Sequence, residues 1–316
     1  MTKILKLESF LFVGMLSLSF VSPSVAQELA LNWKPEPEFG GFYEALNGGL
    51  YERAGLKVKI LPGGAGQPVT QMVAGKKVEF GIAAADEIIL ARSQGAKVTA
   101  LFAVYQEDPQ GFMVHEERGI KTLKELFQSP GKIALQKGLP YTLWLEKQFA
   151  PVSATLVPYT GGVTSFLRDP MFSQQCFITA EPIAARREGK KPRTLLISES
   201  GFNPYLAVVI THEDTLKDQP ERVKKFIAAS REGWKAYLRS PSRTNAAMHQ
   251  LNPSMDLATF EEGALIQKRF IETPESSKKK LGSMEKKRWE RLYGQLLELK
   301  LVKSGLDVSD FYRDGF

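Results

Sequence analysis

Short apolar runs rich in β-forming residues alternate with helix-like segments from residue 29 to about residue 210. The first units are a strand ending at Trp33, a helix after a Pro/Glu-rich loop, and further strands at 56–61 and 78–82. Beyond Thr211 the strand pattern stops and only helical patterns follow. Because parallel strands need long crossover connections, this order predicts an α/β protein whose sheets are largely parallel.

The helical tail predicts a discontinuous domain organisation. Its last helix is predicted to run from Ser283 to near Gly305. We predict that residues 27–108 and 205–316 form a first domain, and that residues 109–204 form a second domain inserted into it. The ligand cleft of such a protein lies between the two domains, beyond the carboxyl ends of the strands.

Two segments would connect these domains and act as a hinge. They are residues 106–111 and 202–205, and both place Pro or Gly beside aromatic residues. Gln106, in the first of them, is a candidate for ligand contact at the cleft.

The N-terminus has the features of a secretory signal peptide, which we assign to residues 1–26. Lys3 and Lys6 precede an apolar run from Phe10 to Val21 that is too short to span a membrane. Small residues at the end of the segment predict cleavage before Gln27. An uncleaved N-terminal anchor is the alternative. We therefore expect an exported protein of the periplasm.

Charge and cysteine content limit the possible functions. The chain carries a formal net charge of +7, but its densest basic run, 278–288, is typical of a solvated helix face. Export also argues against a nucleic-acid partner. Cys176 is the single cysteine, so no internal disulfide can form. The three histidines have no metal-ligand spacing, and we predict neither a metal nor a cofactor.

The predicted strand ends supply the other candidate ligand-binding residues. Trp33 could stack on a flat ring or pack under the next helix, and the Tyr43 phenol could donate to a ligand or lie in the core. The Gly-rich turn before the next helix could bind an oxygen through its N–H groups. Asp86 is a plausible helix N-cap. The remaining candidates, with Trp33 and Tyr43, are Phe39, Gly64, Gln67, Ala85, Thr160 and Glu181.

The opening segment resembles the thiamine-pyrimidine-precursor branch of the periplasmic solute-binding proteins, which share the type II periplasmic-binding fold with sulfonate-binding receptors. The resemblance lies in Trp33, the Pro-rich loop and the element Gly41-Phe42-Tyr43-Glu44-Ala45. It implies a receptor that closes on a small molecule and docks on an ABC permease in the inner membrane. Glu181 matches the position of an acidic residue that could accept paired hydrogen bonds from an aminopyrimidine, or stabilise its own helix.

One departure concerns the ligand. The branch usually has a His before the Gly-x-Tyr element, where this chain has Phe39. The resemblance therefore implies a pyrimidine precursor of thiamine, a similar flat heterocycle, or a small organic anion. We expect a monomer without catalytic activity. The alternatives are an exported ligand-sensing partner of a signalling system and a pyrimidine-metabolising enzyme on the same fold.

Overall fold

The structure is a computed structural model that describes residues 26–276 and 279–316. The predicted signal peptide therefore lies outside the described residues, apart from Ala26. Within the two described ranges, none of the helices has both the length and the apolar character needed to cross a bilayer.

The described strands form two sheets of five. In chain order the strands are β1 (Gln27–Ala30), β2 (Val58–Leu61), β3 (Phe80–Ala83), β4 (Val98–Tyr105), β5 (Gln110–His115), β6 (Lys132–Leu135), β7 (Thr155–Pro158), β8 (Phe172–Phe177), β9 (Pro192–Leu196) and β10 (Leu206–His212). The first sheet has the order β2-β1-β3-β10-β4 and the second the order β7-β6-β8-β5-β9.

Each sheet contains one strand that opposes the other four. In the first sheet β1 is parallel to β2 and β3, whereas β10 is antiparallel to β3 and β4. In the second, β6 is parallel to β7 and β8, whereas β5 is antiparallel to β8 and β9. The predicted α/β fold with largely parallel sheets is confirmed.

The two sheets are linked reciprocally. The edge strand β4 of the first sheet leads through residues 106–109 into the inner strand β5 of the second. The edge strand β9 of the second sheet leads through residues 197–205 into the inner strand β10 of the first. We call each sheet with its packed helices a lobe. That the two lobes correspond to the two predicted domains stays our interpretation.

Helices cover both sheets. They are α1 (Gly40–Asn47), α2 (Leu50–Arg53), α3 (Val69–Ala74), α4 (Ala85–Ser93), α5 (Leu123–Gln128), α6 (Pro140–Gln148), α7 (Thr164–Arg168), α8 (Glu181–Arg187), α9 (Glu213–Asp218), α10 (Pro220–Arg239), α11 (Ser242–Leu251), α12 (Leu257–Ile271) and α13 (Lys286–Glu298). The predicted bounds of the last helix, Ser283 to near Gly305, were wrong. The chain is still extended at Glu285 and turns at Lys300, whose φ of 58° is left-handed and ends the helical path.

The packing of α1 against α10 explains part of the Gly-x-Tyr element. A Cβ at Gly41 would lie 2.1 Å from Cγ of Trp234, and a Cβ at Gly233 would lie 2.3 Å from the Gly41 carbonyl oxygen. Only glycine permits this approach. The contact fixes the start of α1 on the core, and with it the loop that precedes α1.

Candidate ligand-binding cleft

A cavity of about 560 Å³ lies between the two sheets. From the first sheet, Trp33 follows β1 and Asp86 follows β3; from the second, Tyr159 follows β7 and Glu181 follows β8. The carboxyl ends of the parallel strands of both sheets therefore face one another across the cavity. This is the position in which α/β proteins bind ligands.

The structure brings some of the predicted residues together and separates others. Trp33, Gln67 and Glu181 line the cavity. Phe39 and Tyr43 instead lie in the core of the first lobe, with 0% and 3% of their surfaces exposed. Their role as ligand contacts stays a prediction that this placement does not favour.

The remaining candidates lie beside the cavity. Gly64, Ala85 and Thr160 do not line it, but Ala65, Ala84, Asp86 and Tyr159 next to them do. Gln106 lines a separate cavity of about 540 Å³ behind the crossing segments, and its amide donates to the carbonyl oxygens of Ala103 and Ser283.

The loop between Trp33 and α1 carries two carboxyl groups to the cavity wall. Glu36 and Glu38 both line the cavity, and the Trp33 indole Nε1 donates to Oε1 of Glu36 over 3.1 Å. The amide of Gln267 in α12 donates to the Pro37 carbonyl over 3.0 Å. The Asn252 amide donates to the Pro35 carbonyl over 3.1 Å. These bonds hold the loop on the helical tail and direct both glutamates inward.

Glu181 faces the same loop from the second lobe. Its Oε1 accepts from the Tyr159 hydroxyl over 2.6 Å, and its Oε2 accepts from the Phe177 backbone N–H over 2.8 Å. It is also the first residue of α8, where a negative charge stabilises a helix. Both predicted roles of Glu181 are compatible with this position.

The family model described as NMT1/THI5 like matches residues 36–244, well over half of the chain. The chain belongs to the NMT1/THI5-like family. The predicted resemblance is confirmed at this level.

Individual relatives of this NMT1/THI5-like chain have different functions. It is 23% identical over 294 residues to the 4-amino-5-hydroxymethyl-2-methylpyrimidine phosphate synthase of Legionella pneumophila, covering 91% of each chain. It is 22% identical over 305 residues to the riboflavin-binding protein RibY of Chloroflexus aurantiacus, covering 91% of this chain and 85% of that protein.

Among solved structures, the fold is similar to that of the periplasmic aliphatic sulphonate binding protein SsuA from Escherichia coli. The TM-score is 0.68 at 14% identity, with 93% of this chain and 94% of that chain covered. At this identity the likeness establishes a periplasmic-binding-protein fold. The curated relatives include both a binding protein and a synthase, so they do not by themselves decide between binding and catalysis.

Burial, together with repulsion between neighbouring carboxyl groups, raises the pKa of the glutamates that line the cleft of this NMT1/THI5-like protein. The pKa of Glu36 rises from 4.5 to about 8, because burial and the nearby Glu181 carboxylate outweigh the Trp33 hydrogen bond and the Lys34 charge. Burial, then Glu36 and Glu181, raise the pKa of Glu38 well above its usual range. Burial also raises the pKa of Glu181, against the hydrogen bonds from Tyr159 and Phe177. Glu36 and Glu38 therefore retain protons near neutral pH.

This arrangement predicts that the ligand-free protein loses stability as pH rises. Between pH 4.5 and about 8 the folded state binds more protons at Glu36 than the unfolded state does. Stability is then greatest at the low end of this window and falls through it. We expect a loss of about 3 kcal/mol or somewhat more in the free energy of unfolding from pH 5 to pH 8. Urea unfolding across that range measures it, and an equally steep pH dependence in Glu36→Gln would contradict the assignment.

Two buried oxygen atoms of the cavity wall have no partner among the described residues. They are Oδ1 of Asn32 and Oδ1 of Asp86, and Asp86 is only 7% exposed. Asp86 is not the helix cap predicted for it. Ala84 occupies the cap position of α4, and its N–H donates to Oε2 of Glu87 over 2.8 Å. The Asp86 carboxyl oxygen is left facing the cavity.

The described residues show no group of three or more side chains placed to hold a metal ion. Cys176 lines the cavity but is 4% exposed, and burial raises the pKa of its thiol well above the usual range. A neutral buried thiol is a poor nucleophile. Glu36, Glu38 and Asn32 were not predicted as site residues, although two glutamates flanking Pro37 directly after Trp33 were a visible signal.

Proposed function

We propose that this protein is an exported solute-binding receptor that captures a small nitrogen heterocycle and passes it to an ABC permease. A pyrimidine precursor of thiamine is the first candidate solute. The observation that carries the proposal is the cavity of about 560 Å³ between the lobes, lined by aromatic rings and hydrogen-bond acceptors. A heterocycle of this kind presents a flat ring to the aromatic side chains and amino groups to the hydrogen-bond acceptors.

The rings come from both sides of the cavity. Trp33 belongs to the first lobe, and Tyr141, Tyr159 and Phe177 to the second. Stacking of a bound ring on such a side chain contributes about 1 kcal/mol beyond burial. Acceptors for amino groups are available at Asp86 and at the carboxyl groups of the Glu36 loop.

Contacts between α8 and α12 support a closing motion. Arg186 of α8 forms an ion pair with Glu262 of α12, and Arg187 pairs with Asp256 over 3.3 Å. All four side chains are about half exposed, and ion pairs at such surface positions contribute at most about 1 kcal/mol each. Such pairs can join the lobes when a solute is bound and separate when it leaves.

Trp33→Ala and Glu181→Ala should each weaken solute binding at least about tenfold, because each removes a wall of the cavity. Calorimetric titration with 4-amino-5-hydroxymethyl-2-methylpyrimidine and related heterocycles measures the loss. Glu232→Ala is the control, since its carboxylate pairs with Lys235 over 2.8 Å within α10 and outside the cavity. Unchanged affinity in a folded Trp33 or Glu181 variant would remove that residue from the site.

The names of two curated relatives favour pyrimidine-phosphate synthesis as a second candidate function. Mass spectrometry separates the two possibilities. A receptor releases its solute chemically unchanged after hours of incubation, whereas a synthase yields a product of altered mass. A new product, formed in proportion to the amount of protein, would overturn the receptor proposal.

A further inference from the structure

The cleft has an unusual charge composition. Among the described residues that line it, five carry carboxyl groups and none is Lys, Arg or His. The five are Glu36, Glu38, Asp86, Glu87 and Glu181. The chain as a whole is basic, with a formal net charge of +7. The acidity therefore belongs to this cavity and not to the composition of the protein.

The cavity-wall atoms that lack a hydrogen-bond partner are also acceptors. Oδ1 of Asp86 and Oδ1 of Asn32 are buried acceptors without a donor among the described residues. Buried polar atoms in folded proteins nearly always have a partner, so a bound solute is the natural source of the donors. The Trp33 indole N–H, which could have served an anion, already donates to Glu36.

We propose that the solute is bound as an organic cation, with its charged nitrogen held among Glu36, Glu38 and Glu181. The proposal rests on the receptor function and specifies its substrate class. A sulfonate or carboxylate would meet five carboxyl groups and no cationic side chain in the described lining. An ammonium or amidinium group would meet opposite charge on one side and aromatic rings on the other, and both attract cations.

A cation bound among these carboxyl groups needs a compensating negative charge. Burial and repulsion by neighbouring carboxylates keep protons on Glu36 and Glu38 in the absence of a ligand. Entry of the cation ionises one of them, most readily Glu36, and that proton passes to the solvent. Charged, aromatic and amide side chains face Glu36 from several elements. These elements are its own loop, β4, the turn after β7, α8 and the end of α11. The side chains are Trp33, Lys34, Glu38, Tyr105, Tyr159, Glu181 and Asn252. Lys34, the single cation in this set, is exposed and does not line the cavity.

The test compares isosteric probes of different charge. One is 4-amino-5-aminomethyl-2-methylpyrimidine, a cation at neutral pH, and the second is its neutral 5-hydroxymethyl analogue. Ethanesulfonate supplies the anion. Calorimetry at pH 7 in two buffers of different ionisation enthalpy gives both the affinity and the number of protons released. We expect the aminomethyl compound to bind at least tenfold more tightly than the hydroxymethyl compound, with release of about one proton.

Two double variants assign the preference to the site. Glu36→Gln/Glu38→Gln should abolish the preference for the cation, so that the aminomethyl and hydroxymethyl compounds bind with similar affinity. Glu28→Gln/Glu116→Gln removes the same charge from residues outside the cavity and should leave the preference unchanged.

The outcomes separate the two proposals. Equal binding of the two pyrimidines, or a preference that survives in Glu36→Gln/Glu38→Gln, would overturn the cation proposal and leave the receptor function standing. Binding of ethanesulfonate in place of the pyrimidines would do the same. Chemical conversion of a bound probe would overturn the receptor function instead, and failure to bind any of the three probes would count against both.

Discussion

Replacing Gly263 by alanine should weaken solute binding between about ten- and a hundredfold, although the ligand-free protein should be no less stable. A Cβ at Gly263 of α12 would lie 2.5 Å from the Thr179 carbonyl oxygen in the second lobe. Its nearest neighbour within the first lobe, Cγ of Pro37, is 3.2 Å away. The clash therefore opposes the approach of the lobes, at a cost of about 1–3 kcal/mol. Within α12 itself, alanine is favoured over glycine by about 1 kcal/mol.

The opposite signs of the two effects make this test specific. Gly294→Ala in α13 is the matched control, because no atom lies within 4 Å of a Cβ built there. Titration calorimetry gives the affinity, thermal unfolding gives the stability, and small-angle scattering reports the separation of the lobes. If Gly263→Ala binds as tightly as the parent protein, the close contact between α12 and Thr179 is not part of the bound state.

Arg288→Gln should lower the free energy of unfolding by about 3 kcal/mol. The Arg288 guanidinium joins the two crossing segments: it donates to the Gln106 carbonyl in one and, over 2.9 Å, to the Asn203 carbonyl in the other. It also lies 3.7 Å from the centre of the Tyr205 ring. Loss of the guanidinium leaves both carbonyls without their donor and removes the cation from the ring.

Urea unfolding of Arg288→Gln measures this loss. Arg291→Gln, an exposed arginine one turn further along α13, is the control and should change the free energy of unfolding by less than about 0.5 kcal/mol. A similar small change for Arg288→Gln would show that the crossing segments hold their positions without it. Arg288→Lys should recover only part of the loss, because an ammonium lacks the planar fork that reaches two carbonyls.

The order of elements was accessible from the sequence because it depends on local patterns. Apolar runs and helix periodicity predicted the α/β architecture, and the residue after each strand end predicted Trp33 and Glu181 at the cavity. Both line it. These predictions needed no knowledge of which distant segments would meet.

The placement of the other candidate side chains depends on such distant segments. Phe39 and Tyr43 face the core because α10, far along the chain, packs Trp234 against Gly41. The glutamates of the Pro/Glu loop resemble a solvated loop in sequence. They acquire a buried site only because Gln267 and Asn252 hold the loop against the helical tail, opposite Glu181.

The reciprocal linkage of the sheets fixes the order in which the nascent chain can complete its lobes. Every strand of the second sheet has been synthesised once residue 196 emerges. The first sheet still has a gap between β3 and β4, which only β10 can fill. The inserted lobe can therefore fold while the surrounding lobe, begun earlier, waits as an incomplete sheet with two unpaired edges. Such edges invite pairing with other chains. This topology therefore requires the cell to keep residues 27–105 from pairing with other chains during synthesis.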